Sequence, residues 1–220
     1  MRMRKKKNTG ARIQACSDYM NWNDMLENDK INKFDKIDKI DKFVCLEIGC
    51  GKGDFICGMA RKFPGVNFIA LEIISDVIVS AMEKAKNLDL PNVRFINGDA
   101  IKLEEYFADF KISQIYLNFS DPWHKRYQAN KRLTSPVFLE IYKKILKPDS
   151  KIIMKTDKKE FFDYSVKSFL SNGFIIDRMT HDFYNSDFFD PEENIQTEYE
   201  KNFVSQNFPI CYLEAILPSI

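Results

Sequence analysis

Residues 43–53 read Phe43-Val-Cys-Leu-Glu-Ile-Gly-Cys-Gly-Lys-Gly53, and the architecture is read outward from here. A short apolar run, Phe43–Ile48, ends in glycines at 49, 51 and 53. Asp54–Phe63 then has helical spacing and is closed by Pro64-Gly65. This is the signature of a strand, a tight turn and a helix. Downstream the alternation continues. Val66–Glu72 reads as a second strand, with Ser75 placed to cap a helix running to Asn87. Pro91 precedes a third strand, Val93–Asn97. A short helix near Ile101–Phe107 leads to a fourth strand, Gln114–Asn118. A helix over Pro136–Leu146 stops at Pro148, and Lys151–Thr156 is a fifth strand. Lys159–Ser171 is a helix ended by Gly173, and Phe174–Met179 and Phe208–Leu217 are later strands. Strands alternating with helices of this length predict an α/β fold with a doubly wound, mostly parallel sheet. Ligands of such sheets bind beyond the carboxyl ends of the strands.

The composition agrees. With 220 residues the chain has room for one large domain, or a domain with an arm, but not for two of ordinary size. A hydrophobic content of 45%, with nineteen Phe, supplies a sizeable core and excludes global disorder. No run approaches the ~18 apolar residues of a membrane span. The start, Met1-Arg-Met-Arg-Lys-Lys-Lys7, has no apolar stretch behind it, unlike a secretory signal. Five cysteines without a C-x-x-C pair fit reduced thiols in a cytoplasmic protein.

The net charge of +1 hides an uneven distribution. Residues 1–12 hold six basic side chains and no acid, residues 124–132 hold four and no acid, and residues 182–200 hold seven acids and no Lys or Arg. One such run alone reads as solvated surface charge; two separate basic runs raise the odds of a polyanion partner. Residues 1–42 read as a basic arm and connector. Within it, Phe34–Phe43 is a small D-K-I repeat, and organised structure is expected from Phe43.

The strand ends carry the chemistry. The spacing G-x-G-x-G excludes a dinucleotide fingerprint, which needs glycine where Asp54 stands. It also excludes a P-loop, because Lys52 is followed by Gly53 rather than Ser or Thr. Preceded by Glu47, the pattern Gly49, Gly51, Gly53 points instead to S-adenosylmethionine, whose methionyl ammonium the Glu47 carboxylate would face. Glu72, at the end of the second strand, offers two oxygens to a ribose diol. Asp99 is placed to accept an adenine amine, and Ala100 leaves room for the ring. The fourth strand ends in Asn118-Phe-Ser-Asp-Pro-Trp123, where Pro122 holds Asp121 extended. Trp123 offers a stacking face or a packing one. His124 has no metal-ligand spacing around it, and no metal is expected.

The strings L-E-I-G-C-G-K-G, N-G-D-A, N-F-S-D-P-W-H-K-R, K-R-L-T (131–134), K-T-D (155–157) and T-E-Y-E (197–200) resemble those of the bacterial tRNA (guanine-N7)-methyltransferases. The likeness covers about residues 43–217, and D-P-W and T-x-Y-E are its specific elements. It implies a Rossmann-like methyltransferase fold with a final antiparallel strand, formed by residues 43–220. It also implies S-adenosylmethionine as donor and guanine 46 of the tRNA variable loop as acceptor. Carried over position by position, the resemblance gives cofactor roles to Glu47, Glu72, Asp99 and Asp121, with Asp121 also catalytic. It gives substrate binding to Lys125, Asp157, Thr197, Glu198, Tyr199 and Glu200. It gives RNA contact to Tyr127, Gln128, Ala129, Asn130, Lys131 and Arg132. In that loop the chain departs from the family, having His124 and Tyr127-Gln-Ala-Asn130 where a denser basic run is usual. The expected partner is tRNA, the expected state a monomer or homodimer. A same-fold methyltransferase acting on another RNA, a protein or a small molecule, and a non-catalytic RNA-binding module, are the alternatives.

Overall fold

Val44-Cys-Leu-Glu-Ile48 is buried at every position, which a strand achieves only when both faces of its sheet are covered. In the computed structural model it forms strand β1 (Val44–Ile48). The structure describes residues 8–20 and 43–219, and these fall into two compact units that divide after Ala100.

In the first unit β1 pairs in parallel with β2 (Asn67–Glu72), with Val44 opposite Asn67. β2 pairs in parallel with β3 (Val93–Asn97), with Phe68 opposite Val93. Helices Asp54–Lys62 and Ser75–Asn87 make the crossovers. Gly53 is the N-cap of the first, at φ +79°. A Cβ there would lie 2.6 Å from the Ala81 Cβ, so the two helices approach through a bare glycine. The amide of the buried Asn92 donates to the carbonyls of Ala60, Phe63 and Val66, closing the end of helix Asp54–Lys62 from outside. Ser75 is the first residue of its helix rather than the cap, and its hydroxyl donates to Asn97 Oδ1 at 2.7 Å.

Organised structure begins before Phe43. Thr9–Gln14 is a helix and Ser17–Met20 a 3₁₀ turn. The segment is held onto helix Ser75–Asn87. Arg12 Nε donates to Glu83 at 2.7 Å, Lys86 Nζ to the Ala15 carbonyl at 2.6 Å, and the Tyr19 hydroxyl to the Ala85 carbonyl at 3.3 Å. Periodicity could not signal it, because long-range polar contacts and one buried thiol, Cys16, dock it. The D-K-I repeat lies outside the described residues.

In the second unit β4 (Ile112–Asn118) pairs in parallel with β5 (Leu146–Thr156). β5 starts directly after helix Pro136–Ile145, five residues earlier than Lys151. Pro148 is carried where the register with β4 shifts between Ile112 and Gln114. Helix Lys159–Ser171 leads through Gly173, at φ +81°, to β6 (Ile175–Thr180). β7 (Cys211–Ile216) runs antiparallel to both β5 and β6 and lies between them. This is the final antiparallel strand of the expected fold. Helix Glu198–Val204 was not foreseen. All five cysteines are free and buried, and no helix among the described residues is long and apolar enough to cross a membrane.

Candidate active site

Three predicted cofactor elements converge at the carboxyl ends of the first unit's strands. Gly49 and Gly51 follow β1 at φ +81° and +58°, in the left-handed region that L side chains rarely adopt, and a Cβ on either would meet nothing within 4 Å. These glycines are not filling a packed corner. They leave open space beside the turn, which a ligand could approach closely. Glu72, buried at the end of β2, accepts the Gly51 N–H on Oε2 at 3.1 Å and the Ile74 N–H on Oε1 at 2.9 Å. Each oxygen keeps a further acceptor site, so the carboxylate is aimed by backbone and still able to receive two hydroxyls. The Asn97 amide donates to the Glu72 carbonyl at 2.8 Å, and Gly98 N–H to the same carbonyl at 3.2 Å. That ties the Asp99-Ala100 loop to Glu72, with Asp99 exposed and Ala100 buried. Glu47 is buried within β1. An open glycine turn, a pinned carboxylate and an exposed acid after β3 fit an adenosyl cofactor. Sequence reading missed Ile73 and Ile74, large apolar side chains left 60% and 50% exposed just after Glu72. Two exposed isoleucines beside Glu72 could pack on the flat face of an aromatic ring, and the clue was an Ile-Ile pair at a strand end.

The second unit gathers the D-P-W, K-R-L-T, K-T-D and T-x-Y-E strings. Asp121 is exposed after β4, between two non-glycine residues with left-handed backbone, Phe119 at φ +51° and Trp123 at φ +42°. Each such residue costs on the order of 1–3 kcal/mol and persists only where its surroundings enforce it. The Phe119 N–H donates to the Lys155 carbonyl at 2.8 Å, and the Phe119 ring stacks on Phe203 at 6.0 Å. The loop is thereby fastened to the end of β5 and to helix Glu198–Val204. Residues 126–131 form a 3₁₀ turn. Lys125 sits over the exposed Tyr127 ring at 5.9 Å and Lys131 over Trp123 at 5.0 Å. Gln128, Ala129 and Asn130 lie on this turn, and the Asn130 carbonyl accepts the Ser135 hydroxyl at 3.1 Å. Arg132, assigned to RNA by resemblance, turns inward. Its Nε donates to the Pro122 carbonyl at 2.9 Å and its Nη2 to the Trp123 carbonyl at 3.2 Å.

Asp157, after β5, pairs with Lys158 at 2.5 Å. Thr197 and Glu200 are buried. Thr197 Oγ1 accepts the Glu200 N–H at 2.9 Å, and the Glu200 carboxylate accepts the Thr197 N–H at 3.3 Å, a capping box that starts helix Glu198–Val204. Glu200 is 0% exposed and pairs with Lys155 Nζ at 2.9 Å. It also accepts the Tyr184 hydroxyl at 2.8 Å. Asn194 joins the network through Lys155, Tyr184 and Glu200. Burial pulls the Lys155 ammonium below its ordinary pKa against the pull of Glu200, and burial lifts the Tyr184 phenol to about 12. Of the T-x-Y-E residues only Glu198 and Tyr199 are exposed. The acids of 182–200 are interleaved with Phe183, Tyr184, Phe188 and Phe189, which pack against Ile210 and Tyr212. Here the acids Asp187 and Asp190 are exposed while the rings of Phe183, Phe188 and Phe189 pack inward, an alternation that a count of charge does not reveal. Among the described residues no cluster could hold a metal ion.

Residues 41–213 match a family described as "Putative methyltransferase". A tRNA (guanine-N(7)-)-methyltransferase of Listeria welshimeri is 46% identical over 170 residues, 77% of this chain and 78% of that protein. One from Geobacillus thermodenitrificans is 38% identical, covering 99% of this chain and 98% of its own. Among solved structures, the 16S rRNA methyltransferase KamB matches with a TM-score of 0.58 at 13% identity, over 99% of this chain and 97% of that one. An rRNA methylase from Streptococcus thermophilus matches with a TM-score of 0.53 at 11% identity, over 99% and 100%. Likeness at these identities shows the Rossmann-like methyltransferase fold alone.

Proposed function

The chain belongs to the bacterial tRNA (guanine-N7)-methyltransferase family and so methylates guanine N7 in tRNA; from that premise we propose that the acceptor is guanine 46 of the variable loop and that Asp121 is the catalytic residue. The reading rests on one observation above others: relatives of that name align with this chain over almost its whole length. We further assign the donor as S-adenosylmethionine, which when bound supplies an electrophilic methyl group on a sulfonium. Glu72 would hold its ribose, Asp99 and Ala100 its adenine, and Glu47 its amino-acid end, beside the Gly49–Gly53 turn.

Guanine N7 carries an in-plane lone pair and no proton, so the chain needs no general base. What it must supply is alignment and negative charge where the acceptor ring becomes cationic. Asp121, exposed and held in a strained loop, suits that task. Guanine's Watson–Crick edge offers N1–H and amino donors, and Asp157 is a second acceptor for them. Glu200 serves at one remove, by fixing the segment that carries Glu198 and Tyr199. The basic run 1–12, with Lys125 on its exposed turn, supplies phosphate contacts.

The test is transfer of labelled methyl from S-adenosylmethionine to bulk tRNA, followed by nucleoside analysis. Label is expected in N7-methylguanosine, and a transcript with adenosine at position 46 should accept none. Asp121→Ala should lower turnover at saturating cofactor by about 100-fold. Turnover near that of the parent enzyme would remove Asp121 from the chemistry.

A further inference from the structure

We infer that Arg132 is a positioning residue that holds the Asp121 loop in its strained conformation, and that it is not a phosphate contact. The inference rests on the assignment of Asp121 above and adds the device that aims it.

The geometry has three parts. Arg132 donates through Nε to the Pro122 carbonyl at 2.9 Å and through Nη2 to the Trp123 carbonyl at 3.2 Å. A planar fork thus grips the two peptide groups that follow Asp121. The face of the guanidinium lies 4.2 Å from the centre of the Tyr164 ring, within stacking range. Tyr164 belongs to helix Lys159–Ser171. The segment next to Arg132 is stitched to that helix, because Thr134 Oγ1 and Ser165 Oγ lie 2.7 Å apart and both residues are buried. Arg132 therefore bridges a rigid helix to a loop whose backbone is unfavourable at Trp123 (φ +42°). The strain explains why the brace is needed. Trp123 would leave the left-handed region if its carbonyl were released, and Asp121 would move with it. Lys131 adds to the hold, with its ammonium 5.0 Å over the Trp123 ring.

Two of the five guanidinium N–H donors are engaged in this way, and Tyr164 covers one face of the group. A phosphate contact and a brace predict different measurements. Arg132→Lys keeps the charge and loses the fork, and Arg132→Ala loses both. Tyr164→Phe keeps the stacking ring, and Tyr164→Leu removes it. Turnover is measured at saturating tRNA and S-adenosylmethionine, and tRNA affinity is measured at several salt concentrations. With Arg132 as brace, both Arg132 variants lose about 10- to 100-fold in turnover, the cost of misplacing a reacting group by about 1 Å. Their tRNA affinity should stay within about twofold and the salt dependence unchanged. Tyr164→Phe should match the parent enzyme and Tyr164→Leu should fall in the direction of Arg132→Ala. The inference is overturned if Arg132→Lys turns over normally. It is equally overturned if the loss lies in tRNA affinity with the salt slope reduced by about one charge, or if every Arg132 and Tyr164→Leu variant loses cooperative melting, which would make Arg132 a folding residue. A parent enzyme that leaves guanine N7 unmethylated would instead sink the assignment of function.

Discussion

Replacing Lys155 by Met tests whether the T-x-Y-E segment is held by a buried charge pair. Lys155 is 5% exposed and Glu200 0%, and they meet at 2.9 Å. Removing one member of such a pair leaves the other charge stranded, at a cost of about 3–5 kcal/mol. The Glu200 carboxylate would keep the Tyr184 hydroxyl at 2.8 Å, the Thr197 N–H at 3.3 Å and the Asn194 amide at 3.4 Å. Those donors put the expected cost near the lower bound, about 3 kcal/mol. For a chain of this size that is a fall in Tm of about 6–12 °C. The double variant Lys155→Met/Glu200→Gln removes both charges while leaving an oxygen for Tyr184. It should recover to within about 1 kcal/mol of the parent. Differential scanning calorimetry with urea titration reads both. If Lys155→Met melts within 2 °C of the parent, about 1 kcal/mol or less, or the double variant is no better than the single, the pair is not what organises the segment.

Three further outcomes follow from the glycine turn and the buried thiols. Gly53→Ala should destabilise the protein by about 2–4 kcal/mol, since its Cβ would overlap the Ala81 Cβ at a left-handed residue. Gly49→Ala meets open space and should cost only about 1 kcal/mol in stability, yet weaken adenosyl-homocysteine binding about tenfold or more by calorimetry. Unchanged binding would show that the turn is not the cradle. Burial raises the Cys57 thiol to about 12 and the Cys211 thiol to about 11. The unfolded chain gives up these protons first as pH rises from about 9, so the folded state binds more protons and loses stability with increasing pH. Urea midpoints at pH 8 and 10 should fall, and Cys57→Ala should flatten the slope; a midpoint rising with pH would contradict the burial.

The succession of strands and helices could be read from the sequence because each element is written locally: an apolar run, a glycine triplet, a helical spacing closed by Pro or Gly. Val93–Asn97 and Lys159–Ser171 coincide with their predicted bounds. What escaped was long-range. Nothing near Arg132 says that its guanidinium meets carbonyls nine and ten residues back. The burial of Glu200 depends on Lys155, forty-five residues away. In T-x-Y-E the capping box and the buried ion pair use polar side chains whose partners lie outside the motif or in its own backbone, which the string alone does not record. Similarly, the docking of Thr9–Met20 lies in single bonds to a helix seventy residues on, which no window of apolar periodicity contains.

The placing of β7 has a bearing on how the protein is made. This strand follows both of its neighbours in the chain yet lies between them. During vectorial synthesis β5 and β6 emerge with no partner for their facing edges, and residues 181–210 must follow before Cys211–Ile216 can close the gap. Nascent chains of intermediate length therefore carry two open edges, the feature most prone to joining copies of a polypeptide on a polysome.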